Sequence, residues 1–194
     1  EAALAVQKRL KVDVYYGRNQ QIEENDWHVL EALRAISQRL FVISNSPLSK
    51  TDIEELGTVT EDVMQRENKG FDIGAWRDAM AKIGFEELAA YDEIVLVNNS
   101  VIGPVYPLSE AFAVMEKRTC DFWGLTLFEF SQNGDFLGLP FVPEHLQSYF
   151  LVFHRNVVQS AAFMEFFRNV RDLDNVTGVI AQYETQLTKA LKKA

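Results

Sequence analysis

The chain has 194 residues, 47% of them hydrophobic and 24% charged, which suits one core-forming domain and leaves little room for two. Its formal net charge of -9 gives no electrostatic support to nonspecific nucleic-acid binding or to wholesale docking on an anionic membrane. One cysteine, Cys120, and the scattered histidines His28, His145 and His154 exclude an intrachain disulfide and any cysteine-rich or HExxH metal site.

In chain order, Lys11–Gly17 alternates valines with polar residues and reads as a strand ending in a turn. Asn25–Leu40 carries Trp27, Leu30, Leu33, Ile36 and Leu40 at helical spacing, with Asn25 or Asp26 as N-cap. Phe41–Ser46 is a second strand, and Ser49–Gly57 a short helix that the glycine is expected to stop. A weaker strand, Val59–Gln65, leads into a helix over Phe71–Ile83 with Ile73, Trp76, Met80 and Ile83 on one face. Asp92–Val97 is the most apolar run of this half and reads as a central strand, with Asp92 and Glu93 as solvated residues at its start. Further on, Leu108–Arg118 reads as helix, Asp121–Phe130 as strand and Gln132–Glu144 as a Gly/Pro-rich loop. Tyr149–Phe153 is a strand, Asn156–Val170 a helix with an aromatic face, and Val179–Leu191 a last helix. Cys120 and most aromatics of the strand-like segments are expected to be packed inward, and Arg77 to be a solvated helix residue.

Strands alternating with helices at crossover length predict an α/β fold with a mainly parallel sheet covered on both faces. Ligands of such sheets collect beyond the carboxyl ends of the strands. That rule selects Tyr15–Gly17, Ser44–Ser46, Arg66–Asp72 and Asn98–Ser100 as one rim, with Tyr16 and Asn45 among its polar members. No run reaches the ~20 apolar residues of a membrane span and no signal-peptide pattern opens the chain, so a cytoplasmic setting is expected. A start at Glu1 rather than methionine is expected of a piece of a longer protein.

The segments Arg66-Glu-Asn-Lys-Gly-Phe-Asp-Ile-Gly-Ala-Trp76 and Tyr91-Asp-Glu-Ile-Val-Leu-Val-Asn-Asn-Ser100, with Gly103-Pro104, resemble the rhamnan synthesis protein F family. So do Asp121–Thr126, His145–Phe153 and Tyr183-Glu184, so the resemblance runs in order along nearly the whole chain. It implies a single GT-A-like (Rossmann-like) glycosyltransferase domain over residues 1–194. The implied enzyme is an inverting transferase in cell-surface polysaccharide assembly, with dTDP-rhamnose as donor and a growing glycan or lipid-linked acceptor. Any membrane association would be peripheral, through flanking regions, at the inner face of the cell membrane.

Each motif has a second reading. Gly70 permits close backbone approach to a ligand, Asn68, Lys69 or Arg66 can meet a nucleotide, and Asp72 can accept from a base or ribose. Asp72 ahead of an apolar helical face is also what an N-cap looks like. GT-A transferases commonly end this strand in Asp-x-Asp, whose carboxylates hold a divalent cation. Asn98 and Ser100 stand where those acids would, and Asn99 replaces the middle acid that the family more often carries. Neutral oxygens suit a hard dication poorly, so at most a weak Mg or Mn site is expected. An Asn/Ser turn closing a strand is the plainer alternative. Glu184 matches the late-helix acid that deprotonates the acceptor in inverting enzymes, although a lone helical glutamate is more often merely exposed. His145, Gln147 and Ser148 follow a loop able to act as an acceptor wall, and Trp123, Phe128, Phe130 and Phe136 offer stacking faces. The missing acids also fit a rival: a non-catalytic carbohydrate-binding or scaffolding domain with a transferase-like fold.

Overall fold

The computed structural model describes residues 7–17 and 21–192. A six-stranded sheet runs in the order β3 (Asp62–Gln65), β2 (Arg39–Ser44), β1 (Arg9–Tyr15), β4 (Glu93–Asn98), β8 (Phe150–His154), β5 (Phe122–Gly124). β1 pairs parallel with both β2 and β4, and β2 with β3; β8 joins β4 and β5 antiparallel. Two short strands, β6 (Leu127–Phe128) and β7 (His145–Leu146), form a separate antiparallel pair.

Both faces of the sheet are covered, as its uninterrupted apolar strands require. Leu10, Val12 and Val14 of β1, with Ile94 and Leu96 of β4, pack under α3 (Phe71–Ile83), the short α4 (Phe85–Leu88), α7 (Ala161–Asn169) and α9 (Thr185–Leu191). The alternate residues, including Tyr15, Val42, Val95 and Val97, pack under α1 (Glu24–Ala35), α2 (Lys50–Val59) and α5 (Leu108–Met115). Trp76 is fully buried at the centre of the first layer, and its indole donates to the Val97 carbonyl at 3.3 Å. Glu93 is buried rather than solvated, because β4 begins inside the sheet and the Arg9 guanidinium pairs with its carboxylate.

Several boundaries move from the sequence reading, each for a local reason. α1 ends at Ala35 because Arg39 and Leu40 pair with β1, and its N-cap is Glu23, boxed with Asp26, rather than Asn25 or Asp26. Gly57 lies inside α2, which runs on to Val59. Asp121–Phe130 breaks into β5 and β6. The helix expected over Asn156–Val170 is two, α6 (Arg155–Val158) and α7, since the Ser160 hydroxyl accepts from Phe163 N at 3.2 Å and caps a new helix. The last helix begins early as α8 (Val176–Val179) and widens into a π segment, Ile180–Glu184, before α9.

The order β3-β2-β1-β4 places the topological switch between β1 and β4, where successive crossovers leave in opposite directions. Asn99 bridges that gap as a pseudo-strand: its carboxamide accepts from Tyr16 N at 3.2 Å and donates to Tyr16 O at 3.1 Å.

Candidate active site

Beyond the switch point lies a cavity of about 710 Å³. It is bounded by the ends of β1 and β4, the start of α3, the turn after β7 and the π segment. Of the residues selected from the sequence, Tyr16, Asn45, Asn68, Asp72, Asn98, Asn99, Ser100, His145, Gln147, Ser148 and Glu184 line it. Arg66, Lys69 and Gly70 do not.

The start of α3 explains that division. Gly70 is the N-cap in the left-handed region (φ 68), where a Cβ would come within 2.9 Å of Asp172 Oδ1. Phe71, at φ 52, shares that conformation despite its side chain, a local strain held at the cavity edge. Asp72 is therefore a first-turn residue rather than the N-cap, and its carboxylate turns into the cavity with Oδ1 accepting from Ile73 N at 2.9 Å. Arg66 points behind the rim. It donates to Asp78 Oδ2 at 2.8 Å, Asn45 Oδ1 at 2.8 Å and Lys69 O at 2.6 Å, and so buttresses the loop instead of facing the cavity. Lys69 is exposed on Glu67 at 2.6 Å. Arg77 is not free in solvent either: it ties α3 to Val170 O at 3.1 Å and Asp172 at 3.0 Å. Among the described residues, no lysine or arginine side chain lines the cavity.

The polar floor is a connected chain. Asn98 Nδ2 donates to Asp72 Oδ2 at 2.7 Å and to Ser148 O at 3.2 Å, while its Oδ1 accepts from Ser100 N at 3.0 Å. The Ser148 hydroxyl lies 2.6 Å from Glu184 Oε2 and 3.1 Å from Asp72 Oδ2. Glu184 Oε1 lies 3.5 Å from His145 Nε2, and His145 Nδ1 donates to Pro143 O at 2.7 Å. Burial raises the Asp72 pKa, the Asn98 and Ser148 hydrogen bonds pull it back, and the Glu184 charge pushes it up again. Burial alone would lower the His145 pKa, but the Glu184 carboxylate and the Pro143 carbonyl together carry it above the usual histidine value.

The residues at the end of β4 do not fit a divalent cation. Both amide protons of Asn98 and its oxygen are committed, and Asn99 Nδ2 is held by Tyr16 O and by Asp26 Oδ1, each at 3.1 Å. Among the described residues no group of three or more His, Cys, Asp or Glu side chains is placed to hold a metal. An aspartate at 98 would set its carboxylate against that of Asp72, which is the physical reason an amide suits this position.

Of the aromatics, Phe128 stacks on His145 with centroids 5.3 Å apart and joins the cavity wall. Phe136 lines the same wall and is exposed, as is Phe130 outside it, so neither belongs to the core; Trp123 does, packed edge-on against Phe112. Sequence reading missed the apolar wall of Val142, Val176, Val179 and Ile180. It also missed the π segment, whose extra residue per turn aims Glu184 inward. No sequence pattern signalled that segment.

A curated relative from Sinorhizobium fredii (strain NBRC 101917 / NGR234), named uncharacterized protein y4gN, is 24% identical over 163 residues, covering 82% of this chain and 40% of its own length. The chain thus spans about two-fifths of that relative. A structure from Desulfovibrio desulfuricans G20, assigned as a nucleotide-diphospho-sugar transferase, is 14% identical with a TM-score of 0.48, covering 96% of this chain and 74% of that one. Core-mannan synthase A from Aspergillus fumigatus, in an Mn/GDP form, is 12% identical with a TM-score of 0.42, covering 98% of this chain and 70% of that one. The family profile described as rhamnan synthesis protein F matches residues 40–194, well over half of the chain, and the chain belongs to the rhamnan synthesis protein F family.

Proposed function

We propose that this chain is a nucleotide-sugar-dependent glycosyltransferase that moves a sugar, rhamnose from dTDP-rhamnose, to a growing cell-surface polysaccharide. Residues 1–194 act as one transferase unit. Family membership supports the reaction class. The observation that carries the reading is Glu184, held by Ser148 at 2.6 Å inside a cavity of about 710 Å³ at the switch point of the sheet.

In this reading transfer is inverting. Glu184 takes the proton of the acceptor hydroxyl while that oxygen forms its bond to the sugar's anomeric carbon. The bond from that carbon to the diphosphate oxygen breaks, and its electron pair leaves with the nucleoside diphosphate. Tyr16, Asn45, Asn68 and Asp72 meet the nucleotide, Asn98–Ser100 lie by the diphosphate or sugar, and His145, Gln147 and Ser148 face the acceptor. No step is routed through a metal, because the polar groups at the end of β4 are spent on one another. Among the described residues no helix is long and apolar enough to cross a membrane. Work at the inner membrane face on a lipid-linked glycan belongs to the same reading, with peripheral association through flanking regions.

A second reading, a non-catalytic carbohydrate-binding or scaffolding domain, is favoured by one observation: the cavity wall offers no lysine or arginine to a diphosphate among the described residues. Calorimetric titration with dTDP-rhamnose, UDP-sugars and GDP-sugars, with and without Mn²⁺, followed by a transfer assay on a glycan acceptor, separates the two. Binding with turnover is expected. Binding of glycan without any sugar nucleotide would establish the second reading.

A further inference from the structure

The Ser148 hydroxyl has two carboxyl neighbours but one proton. Its 2.6 Å contact to Glu184 Oε2 is well shorter than its 3.1 Å contact to Asp72 Oδ2, so the hydroxyl proton is assigned to Glu184. The other neighbour, Asp72 Oδ2, then faces a serine lone pair at 3.1 Å. Two oxygens in that position repel unless a second proton lies between them, and serine has none left. Asp72 Oδ2 can supply it while still accepting from Asn98 Nδ2 at 2.7 Å, since a protonated carboxyl oxygen keeps acceptor capacity. On the far side of Glu184, His145 Nδ1 must carry a proton to donate to the Pro143 carbonyl. This leaves Nε2, 3.5 Å from Glu184 Oε1, as the one position on the ring that changes with pH.

We propose that Asp72, Ser148 and Glu184 form one proton-sharing unit, in which Ser148 couples the two carboxyls and Asp72 carries the resident proton so that Glu184 stands ionised. The role assigned to Glu184 rests on the transferase reading above; Ser148 and Asp72 are positioning residues. The unit has a use in that reaction. Two ionised carboxylates would oppose entry of a diphosphate into a cavity without lysine or arginine lining among the described residues, whereas the shared proton removes one of those charges. The acceptor proton then goes to Glu184, leaving both carboxyls neutral until water removes one proton after product release. Among the described residues, the titratable groups that face Glu184 are Asp72 from α3 and His145 from β7.

Carbon-13 NMR of side-chain carboxyls on the full chain, without ligand, tests this. Asp72 and Glu184 are followed from about pH 4 to about pH 9, with signals assigned by their loss in Asp72→Asn and Glu184→Gln. Glu184→Gln should lower the Asp72 midpoint by about one unit or more, whereas Asp72→Asn should leave the Glu184 signal nearly unmoved, because a protonated Asp72 is already neutral where Glu184 takes up its proton. Ser148→Ala should shrink the Asp72 shift and move the acid limb of kcat/KM to higher pH, because the carboxylate loses its donor; Ser148→Thr should restore both. If Asp72→Asn fails to fold, the isosteric Glu184→Gln still reads the coupling from the Asp72 side. An Asp72 midpoint that ignores Glu184→Gln, a Glu184 signal that Asp72→Asn moves by about a unit or more, or an Asp72 shift that Ser148→Ala leaves intact would overturn the proposal. The two readings fail separately. Coupled titration in a chain that transfers no sugar would sink the transferase alone, and uncoupled titration in an active chain would sink the proton unit alone.

Discussion

Asp72 and Asp13 are both withdrawn from bulk water, on opposite sides of one sheet, and their surroundings could hardly differ more. Asp72 has two donors, Asn98 and Ile73 N, meets the Ser148 hydroxyl, and opens on a cavity. Asp13 sits on β1 facing the α1 layer, 4% exposed, and its Oδ1 has no hydrogen-bond partner among the described residues. Burial, helped by the nearby Asp26 charge, pushes its pKa up to about 7. Burial raises a carboxyl pKa in either place. Only donors and an open side make such a group available for chemistry, so Asp13 is a cost that the fold carries and Asp72 a part of the site.

The largest effect expected on the Asp72 side is catalytic. Glu184→Gln keeps the shape of the floor but removes the base, so transfer should fall by a factor of about 10²–10⁴ while calorimetry shows donor affinity unchanged. Retained turnover would take Glu184 out of the mechanism.

On the Asp13 side the effect is on stability, and its sign follows from linkage. The folded pKa lies above the unfolded value near 3.8, so the folded state holds the proton more tightly. Stability should be greatest below that unfolded value and fall as pH rises through about 7. Asp13→Asn lacks this slope. Urea denaturation of the two proteins should diverge with rising pH, by up to about 4 kcal/mol for the full shift. Parallel curves would mean that Asp13 is not the buried acid described above.

Between the two carboxyls lies a smaller test. Asp72→Ala strips a buried partner from the Asn98 amide and the Ser148 hydroxyl, and should cost about 1–3 kcal/mol in urea denaturation, as leaving buried polar groups unpaired does. The smallest effect is expected outside the cavity. Lys69→Ala should change neither the melting temperature nor donor affinity measurably, because its ammonium is exposed on Glu67. A clear loss of donor binding would return Lys69 to the nucleotide site.

These contrasts also mark what the sequence could say. The helix over Phe71–Ile83 was legible to the residue, because its buried stripe of Ile73, Trp76, Met80 and Ile83 has unbroken helical spacing. The rim was legible through the strand-end rule, which needs only the order of elements. The direction in which side chains leave the backbone was not. Arg66 and Lys69 have the right charge for a diphosphate, but the Gly70 turn sends one behind the loop and the other to solvent. Asp72, Ser148 and Glu184 are 76 and 36 residues apart along the serine's two contacts, and only the tertiary fold joins them. Asp13 was invisible as a buried acid because it alternates with valines as a half-exposed strand would.

The central claim is that a sugar nucleotide occupies the cavity at the β1–β4 switch. Amide NMR of the chain during titration with dTDP-rhamnose locates the ligand without any need for turnover. The signals of Tyr16, Asp72, Asn98–Ser100, Ser148 and Glu184 are expected to shift together along one saturation curve. Saturable shifts confined to other surfaces, or none with any sugar nucleotide, would contradict it.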